Sequence, residues 1–263
     1  MKIRCFLISL FLISFPLSVF AAENLADVEK LDEISDDAFQ MVKNQRYEDA
    51  QKLLSYFSEE FEQMYDGTVP ITLDEMRIVS VSRDEAMEAA ASPTMEYQER
   101  LNKVTRFRLV IDALSTSSDP LWSEMEDDVM GAFSQAKQAA QKGEPTLYHA
   151  NLNSFLSMYE LIYPSMKIDV PKEQLQRVDA RVRSMEKLSS SLPKSQAELE
   201  ELDALGTSLQ DIFNGIEEDE ADPSLWWVII STGSIIILTL SYVGWRKYKG
   251  DREIAKKRRE LKD

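Results

Sequence analysis

Cysteine is almost missing from this chain: Cys5 is the only one among 263 residues. It sits between Arg4 and the apolar run Phe6 to Leu12, which Pro16 interrupts. Val19 and Ala21 then occupy the small-residue positions of a leader cleavage site. Cleavage is expected between Ala21 and Ala22, making residues 1–21 a signal peptide; the stretch is too short to favour an uncleaved anchor. The mature chain would then hold no cysteine at all. That excludes disulfides, thiol nucleophiles and thiolate metal sites, so the domain must be stable through its core. Histidine is equally scarce. His149 is the only one, lying between Leu147 and Leu152. A lone histidine cannot build a multi-histidine metal site, and it reads as a surface or half-buried residue, with a pH-sensitive contact as the alternative. Glycine is sparse too, with five residues between leader and anchor. The chain has neither a Gly-x-Ser-x-Gly elbow nor a phosphate-cradling glycine loop. No catalytic, cofactor-binding or metal-binding residues are expected.

Carboxylates are plentiful, and two at a set separation suffice for glycoside hydrolysis. Asp36-Asp37, Glu59-Glu60 and Glu198-Glu200-Glu201 nevertheless read as solvated helix faces in so acidic a chain. The whole sequence has 30 basic and 46 acidic residues. Two basic residues fall in the leader, and nine basic with four acidic fall from Arg246 onward. The domain between them keeps 19 basic and 42 acidic residues, a net charge of −23. Such a charge argues against binding nucleic acid or anionic polymers. Acidity that merely keeps the domain soluble explains the charge as well as recruitment of basic partners does.

The chain does possess one long uncharged stretch, Leu225 to Trp245. Its length suits a helix crossing about 30 Å of hydrocarbon. Ten residues are Leu, Ile or Val, which favours insertion by about 3 to 6 kcal/mol. Trp226 and Trp227 stand at one edge, and Tyr242, Trp245 and Tyr248 at the other, where aromatic rings prefer the headgroup level. Arg246, Lys247, Lys249, Arg252, Lys256, Lys257, Arg258 and Arg259 follow, marking a cytoplasmic side and a lipid-contacting tail. The expected organisation is a signal peptide 1–21, an extracytoplasmic domain 22–214, an acidic linker 215–224 that lifts it off the bilayer, a transmembrane helix 225–245, and a basic tail 246–263. A single-pass cell-membrane protein with its C-terminus inside is therefore expected. Gly233, Ser234, Ser241 and Gly244 can share one face of the span, which leaves a homo-oligomer open.

Apolar residues in the domain recur at three and four positions, the period of a helix burying one face. Val28, Leu31, Ile34, Ala38 and Met41 form one such stripe, and Leu152, Phe155, Leu156, Tyr159 and Tyr163 another. Tyr148, Phe155, Tyr159 and Tyr163 therefore read as core aromatics. Thr72-x-x-Glu75, Ser82-x-x-Glu85 and Ser195-x-x-Glu198 have capping-box spacing. Asp119-Pro120 and Glu144-Pro145 place proline at helix starts, and Gly143 closes the helix before. Met76 to Val81 fits an extended connector or a continuing helix. The expected fold is an all-α bundle of seven to eight helices, with a break at Pro164 to Pro171 as the candidate internal boundary. Arg46-Tyr47-Glu48-Asp49-Ala50 with Leu54 and Phe57 resembles the second helix of a tetratricopeptide unit; without further copies it reads as an ordinary hairpin.

Several segments resemble the YpjB-type sporulation proteins of endospore-forming bacteria. They are Trp226 to Gly233 and Tyr242 to Gly250 in the anchor, Ser92-Pro93 through Leu109, Pro120-Leu121-Trp122, and Leu152 to Pro164. The resemblance covers most of the mature chain and brings no catalytic residues. It implies production during sporulation, where the outside of the mother-cell membrane can be the space between two membranes. The favoured reading is a non-enzymatic helical protein that binds an envelope or membrane protein and contacts the lipid bilayer through its anchor. The alternatives are a cell-wall- or peptide-binding receptor, a carboxylate-dependent hydrolase of peptidoglycan, and a signal transducer, which the short tail disfavours.

Overall fold

A computed structural model describes residues 18–64, 71–116, 119–187, 192–193, 195–219, 230–237 and 239–248. Among these described residues there is no strand. The helices are α1 (Ser18–Lys43), α2 (Tyr47–Met64), α3 (Leu73–Ala91), α4 (Tyr97–Ser115), α5 (Glu126–Lys142), α6 (Pro145–Asp169), α7 (Lys172–Lys187) and α8 (Gln196–Asp219). A 3-10 turn, Ser123–Met125, leads into α5. The all-α bundle is as the apolar periodicity predicts.

Local sequence accounts for several helix ends. Thr72 accepts from the Glu75 amide at 3.2 Å, and Glu75 accepts from the Thr72 amide at 2.7 Å, a complete capping box. Ser195 and Glu198 make the same reciprocal pair before α8. Ser82 does not: it lies inside α3, buried, and its hydroxyl donates to the Val79 carbonyl at 3.0 Å. Pro145 opens α6 as expected, but Pro120 precedes the 3-10 turn and no α-helix begins there. Gly143 closes α5 at φ 72°. Met76 to Val81 is helical within α3, because the Thr72 box starts the helix and Val79 faces the core.

Residues 1–216 form one compact unit and 217–263 a second. The Pro164–Pro171 break therefore does not divide the domain: Pro164 lies inside α6, and the chain turns only at Val170-Pro171. In the first unit α4 serves two apolar clusters. Val104, Phe107, Val110 and Ile111 join α1–α3, while Leu109 and Ala113 join α5–α8. Phe57 meets Phe107 edge-on at 4.8 Å in the first cluster, and Trp122 meets Phe213 at 5.6 Å in the second. The α1–α2 pair is a hairpin packed onto α4. At Gly206 α8 comes so close to α5 that a Cβ would lie 2.8 Å from Phe133 Cε1.

Arg100 ties the α3–α4 turn to the hairpin. It is 3% exposed, and its guanidinium donates to the carbonyls of Ala89, Ala90, Ser92 and Met95 while stacking on Tyr47 at 4.0 Å. A planar fork of donors suits the last carbonyls of a helix better than a lysine would.

Residues 1–17 of the expected leader lie outside the described residues, and α1 runs unbroken past Ala21-Ala22. In the second unit, residues 230–237 and 239–248 are helical. Of the expected membrane span, 225–229 and 238 lie outside the described residues. Among the described residues, no helix is long and apolar enough to cross a membrane, so a transmembrane helix over 225–245 is not observed.

Candidate functional site

Four helices converge on a cleft with two lobes. Residues Arg77, Ile78, Val81, Ser82 and Glu85 lie on one face of α3, as helical spacing requires, and form one wall. Arg106 of α4 and Tyr163 and Pro164 of α6 form the floor shared by both lobes. The first lobe, of about 360 Å³, is bounded by Lys167. The second, of about 350 Å³, is bounded by Glu160 and by Asp179, Arg183 and Glu186 of α7.

The charges in this cleft are of two kinds. Arg106 donates through Nη1 to Glu85 at 2.8 Å, and Arg183 pairs with Asp179 at 2.8 Å. Lys167 lies over the Tyr163 ring at 5.4 Å, and Arg77 pairs with Asp74 at 3.4 Å. Glu160 and Glu186 make no ion pair among the described residues. Unpaired polar groups add to this. Arg106 Nε and the Tyr159 hydroxyl are buried without a hydrogen-bond partner among the described residues, and burial pushes the Tyr159 phenol far up. Pro164 has no N–H to donate to the Glu160 carbonyl one turn earlier. The cleft can therefore hold a ligand by charge, backbone hydrogen bonds and an aromatic face.

A second recess, of about 660 Å³, opens beside α1 among Glu29, Asp32, Glu33, Asp36 and Asp37. Arg108 clamps it: its guanidinium donates to Asp32 at 2.5 and 3.2 Å and to Asp36 at 3.4 Å, with Asp112 at 3.8 Å. Asp32 and Asp36 are thus tied to a cation of α4, and the pairings bridge α1 and α4 across the recess. Two further carboxylates hold the α4–α5 connection. Asp112 accepts from the Leu121 amide and Asp169 from Trp122 Nε1, each at 2.6 Å. Burial raises both, and Asp169 is pushed up to about 7. Among the described residues, no group of three or more His, Cys, Asp or Glu could hold a metal ion.

The residues singled out in the sequence are scattered. Tyr242, Trp245 and Tyr248 are exposed on helical residues, as are Arg246 and Lys247. Trp226, Trp227, Lys249, Arg252, Lys256, Lys257, Arg258 and Arg259 lie outside the described residues. His149 is half-buried, its ring 5.4 Å from that of Tyr148. Tyr148, Phe155 and Tyr159 are core, whereas Tyr163 is partly exposed and lines the cleft. Of the acidic runs, Asp36 joins Arg108, Glu60 pairs with Lys30 at 2.7 Å, and Glu201 pairs with Arg181 at 2.8 Å. Sequence reasoning did not find the cleft. Its one local signal is a proline amid helical periodicity; Arg77, Arg106 and Lys167 come from three separate helices.

These features define an all-α bundle protein with a charged interhelical cleft and a separate C-terminal helical segment. The chain belongs to the Sporulation protein YpjB (SpoYpjB) family, whose model matches residues 28–257. Among its relatives is a Bacillus subtilis (strain 168) protein described as "Uncharacterized protein YpjB". The two are 36% identical over 256 residues, covering 97% of this chain and 96% of the relative. No solved structure matches the chain.

Proposed function

We propose that this sporulation-family protein is a membrane-anchored, non-enzymatic binding protein that works outside the cytoplasmic membrane by engaging an envelope or membrane protein. The cleft around Arg106 and Tyr163 carries this reading. It sets exposed cations, Arg77 and Lys167, and exposed acids, Glu160 and Glu186, around a shared apolar floor, whereas the more deeply buried carboxylates Asp112 and Asp169 are held by Leu121 and Trp122. The anchor rests on the uncharged stretch 225–245, its aromatic edges and the basic residues that follow. Export rests on the leader features of residues 1–21. Membership in a sporulation family supplies the setting.

In vivo crosslinking of the tagged full-length protein in sporulating cells tests the reading. The expected result is one reproducible envelope or membrane protein, lost when residues 22–214 are deleted. Capture of only the protein itself contradicts it.

A peptide receptor is the second reading, favoured by the size of the same cleft. It predicts tight binding of a free peptide by the purified protein without a protein partner.

A further inference from the structure

The cleft has a polarity that its lining makes specific. At one end stand Arg77 and Lys167, cations that meet no acid within the cleft. At the other stand Glu160 and Glu186, exposed acids without ion-pair partners among the described residues. Between them the Arg106–Glu85 and Arg183–Asp179 pairs are already neutral and serve as scaffold. Tyr163 and Pro164 give the middle an apolar face common to both lobes.

We infer that this cleft docks a short extended segment of the partner protein, with an acidic side chain at Arg77 and Lys167, a basic one at Glu160 and Glu186, and an apolar stretch across Tyr163 and Pro164. The inference rests on the proposed function and deepens it by giving the partner's chemistry.

Three physical arguments select this occupant. A purely acidic segment is repelled by a domain whose net charge is −23. A purely basic segment is attracted to almost any part of that surface, so it gains nothing particular here. Only a segment carrying both signs is better matched to the cleft than to its surroundings, because specificity is a difference in affinity between sites. An extended segment also supplies backbone N–H groups, and the Glu160 carbonyl has lost its helical donor to Pro164.

The test uses the full-length protein in detergent micelles and blocked peptides, titrated by calorimetry. The probes are acetyl-Glu-Leu-Ala-Leu-Lys-amide, its all-Glu and all-Lys counterparts, and unblocked Leu-Ala-Leu. Wild type should bind the mixed peptide at least 5-fold more tightly than the other three. Lys167→Glu should shift the preference to the all-Lys peptide, and Glu160→Lys with Glu186→Lys to the all-Glu peptide. These positions are exposed, so the variants keep their fold; thermal melting checks that.

Equal binding of all peptides, no binding of any, or a preference unmoved by the swaps overturns the inference. Preference for unblocked Leu-Ala-Leu overturns it in favour of a free small ligand. Partner capture in sporulating cells that persists unchanged in the swapped variants overturns the cleft assignment while leaving the proposed function standing.

Discussion

Asp169 shows what burial does to one residue of this domain. Loss of solvent raises its carboxyl to about 7; the Trp122 N–H opposes that rise, and the neighbouring Asp112 and Glu75 add to it. Asp112 is raised in the same way, by burial first, against the Leu121 amide and Arg108, with Asp32 and Glu124 adding to it. A carboxyl whose folded pKa is raised holds its proton more tightly in the folded chain. Its stabilising contribution is complete below the unfolded value of 3.8 and is lost as pH rises through about 7. Urea melts followed by far-ultraviolet circular dichroism should therefore show the domain more stable at pH 5 than at pH 8. Asp169→Asn keeps an acceptor for Trp122 but cannot ionise. It should exceed wild type in stability by about 4 kcal/mol at pH 8 and by only about 1 to 2 kcal/mol at pH 5, where the unfolded carboxyl is ionised and the folded one is not. Equal effects at both pH values would assign the pH dependence to the general acidity of the domain. At the other end of α6, the Tyr148 hydroxyl is buried without a hydrogen-bond partner among the described residues. Tyr148→Phe should leave stability unchanged or raise it by up to about 1 kcal/mol. A loss of that size would show that the hydroxyl does have a partner.

At the scale of the element, two helix ends solve one geometric problem with different residues. After α5 the Glu144 amide reaches the Ala139 carbonyl at 2.9 Å and the Gly143 amide reaches Ala140 at 3.1 Å, with Gly143 in the left-handed region. After α1 the Arg46 amide reaches Met41 at 2.8 Å and the Gln45 amide reaches Val42 at 2.9 Å, with Gln45 at φ 60°. Both are the paired closure that favours glycine. Gln45→Gly should then stabilise by about 0.5 to 1 kcal/mol, and Gly143→Ala should destabilise by about 1 kcal/mol. Nothing lies within 4 Å of a Cβ built on Gly143, so its cost is one of backbone conformation alone. Opposite signs in thermal melts would confirm the pair; matching signs would refute it.

These ends also mark how far the sequence could be read. Gly143 and the Thr72 and Ser195 boxes are legible because the chemistry is local. Ser82 has the same spacing and fails, since spacing alone does not say where a helix begins. Gln45 went unread because the turn imposes its conformation on a residue that carries no signal of it.

At the scale of the whole molecule, apolar periodicity was enough to predict an all-α bundle, because each helix buries one face. It could not predict the cleft, which four helices assemble from residues up to 109 positions apart, Arg77 to Glu186. Nor does periodicity distinguish Tyr163 from Tyr159, which share a stripe yet differ in exposure. The leader-like residues 1–21 and the uncharged stretch 225–245 with its basic flank are compositional signals, on which the proposed location rests.

Scarcity of cysteine makes the account's central claim, a binding domain held outside the membrane, open to direct measurement. With Cys5→Ser the chain has no cysteine, so one introduced thiol reports one position. Glu144→Cys places it at the exposed α5–α6 turn, and Lys262→Cys places it in the basic tail. Labelling intact cells with a membrane-impermeant maleimide should modify the first variant and leave the second unmodified until the cells are permeabilised. Modification of the tail alone, or of neither position before permeabilisation, would contradict the account.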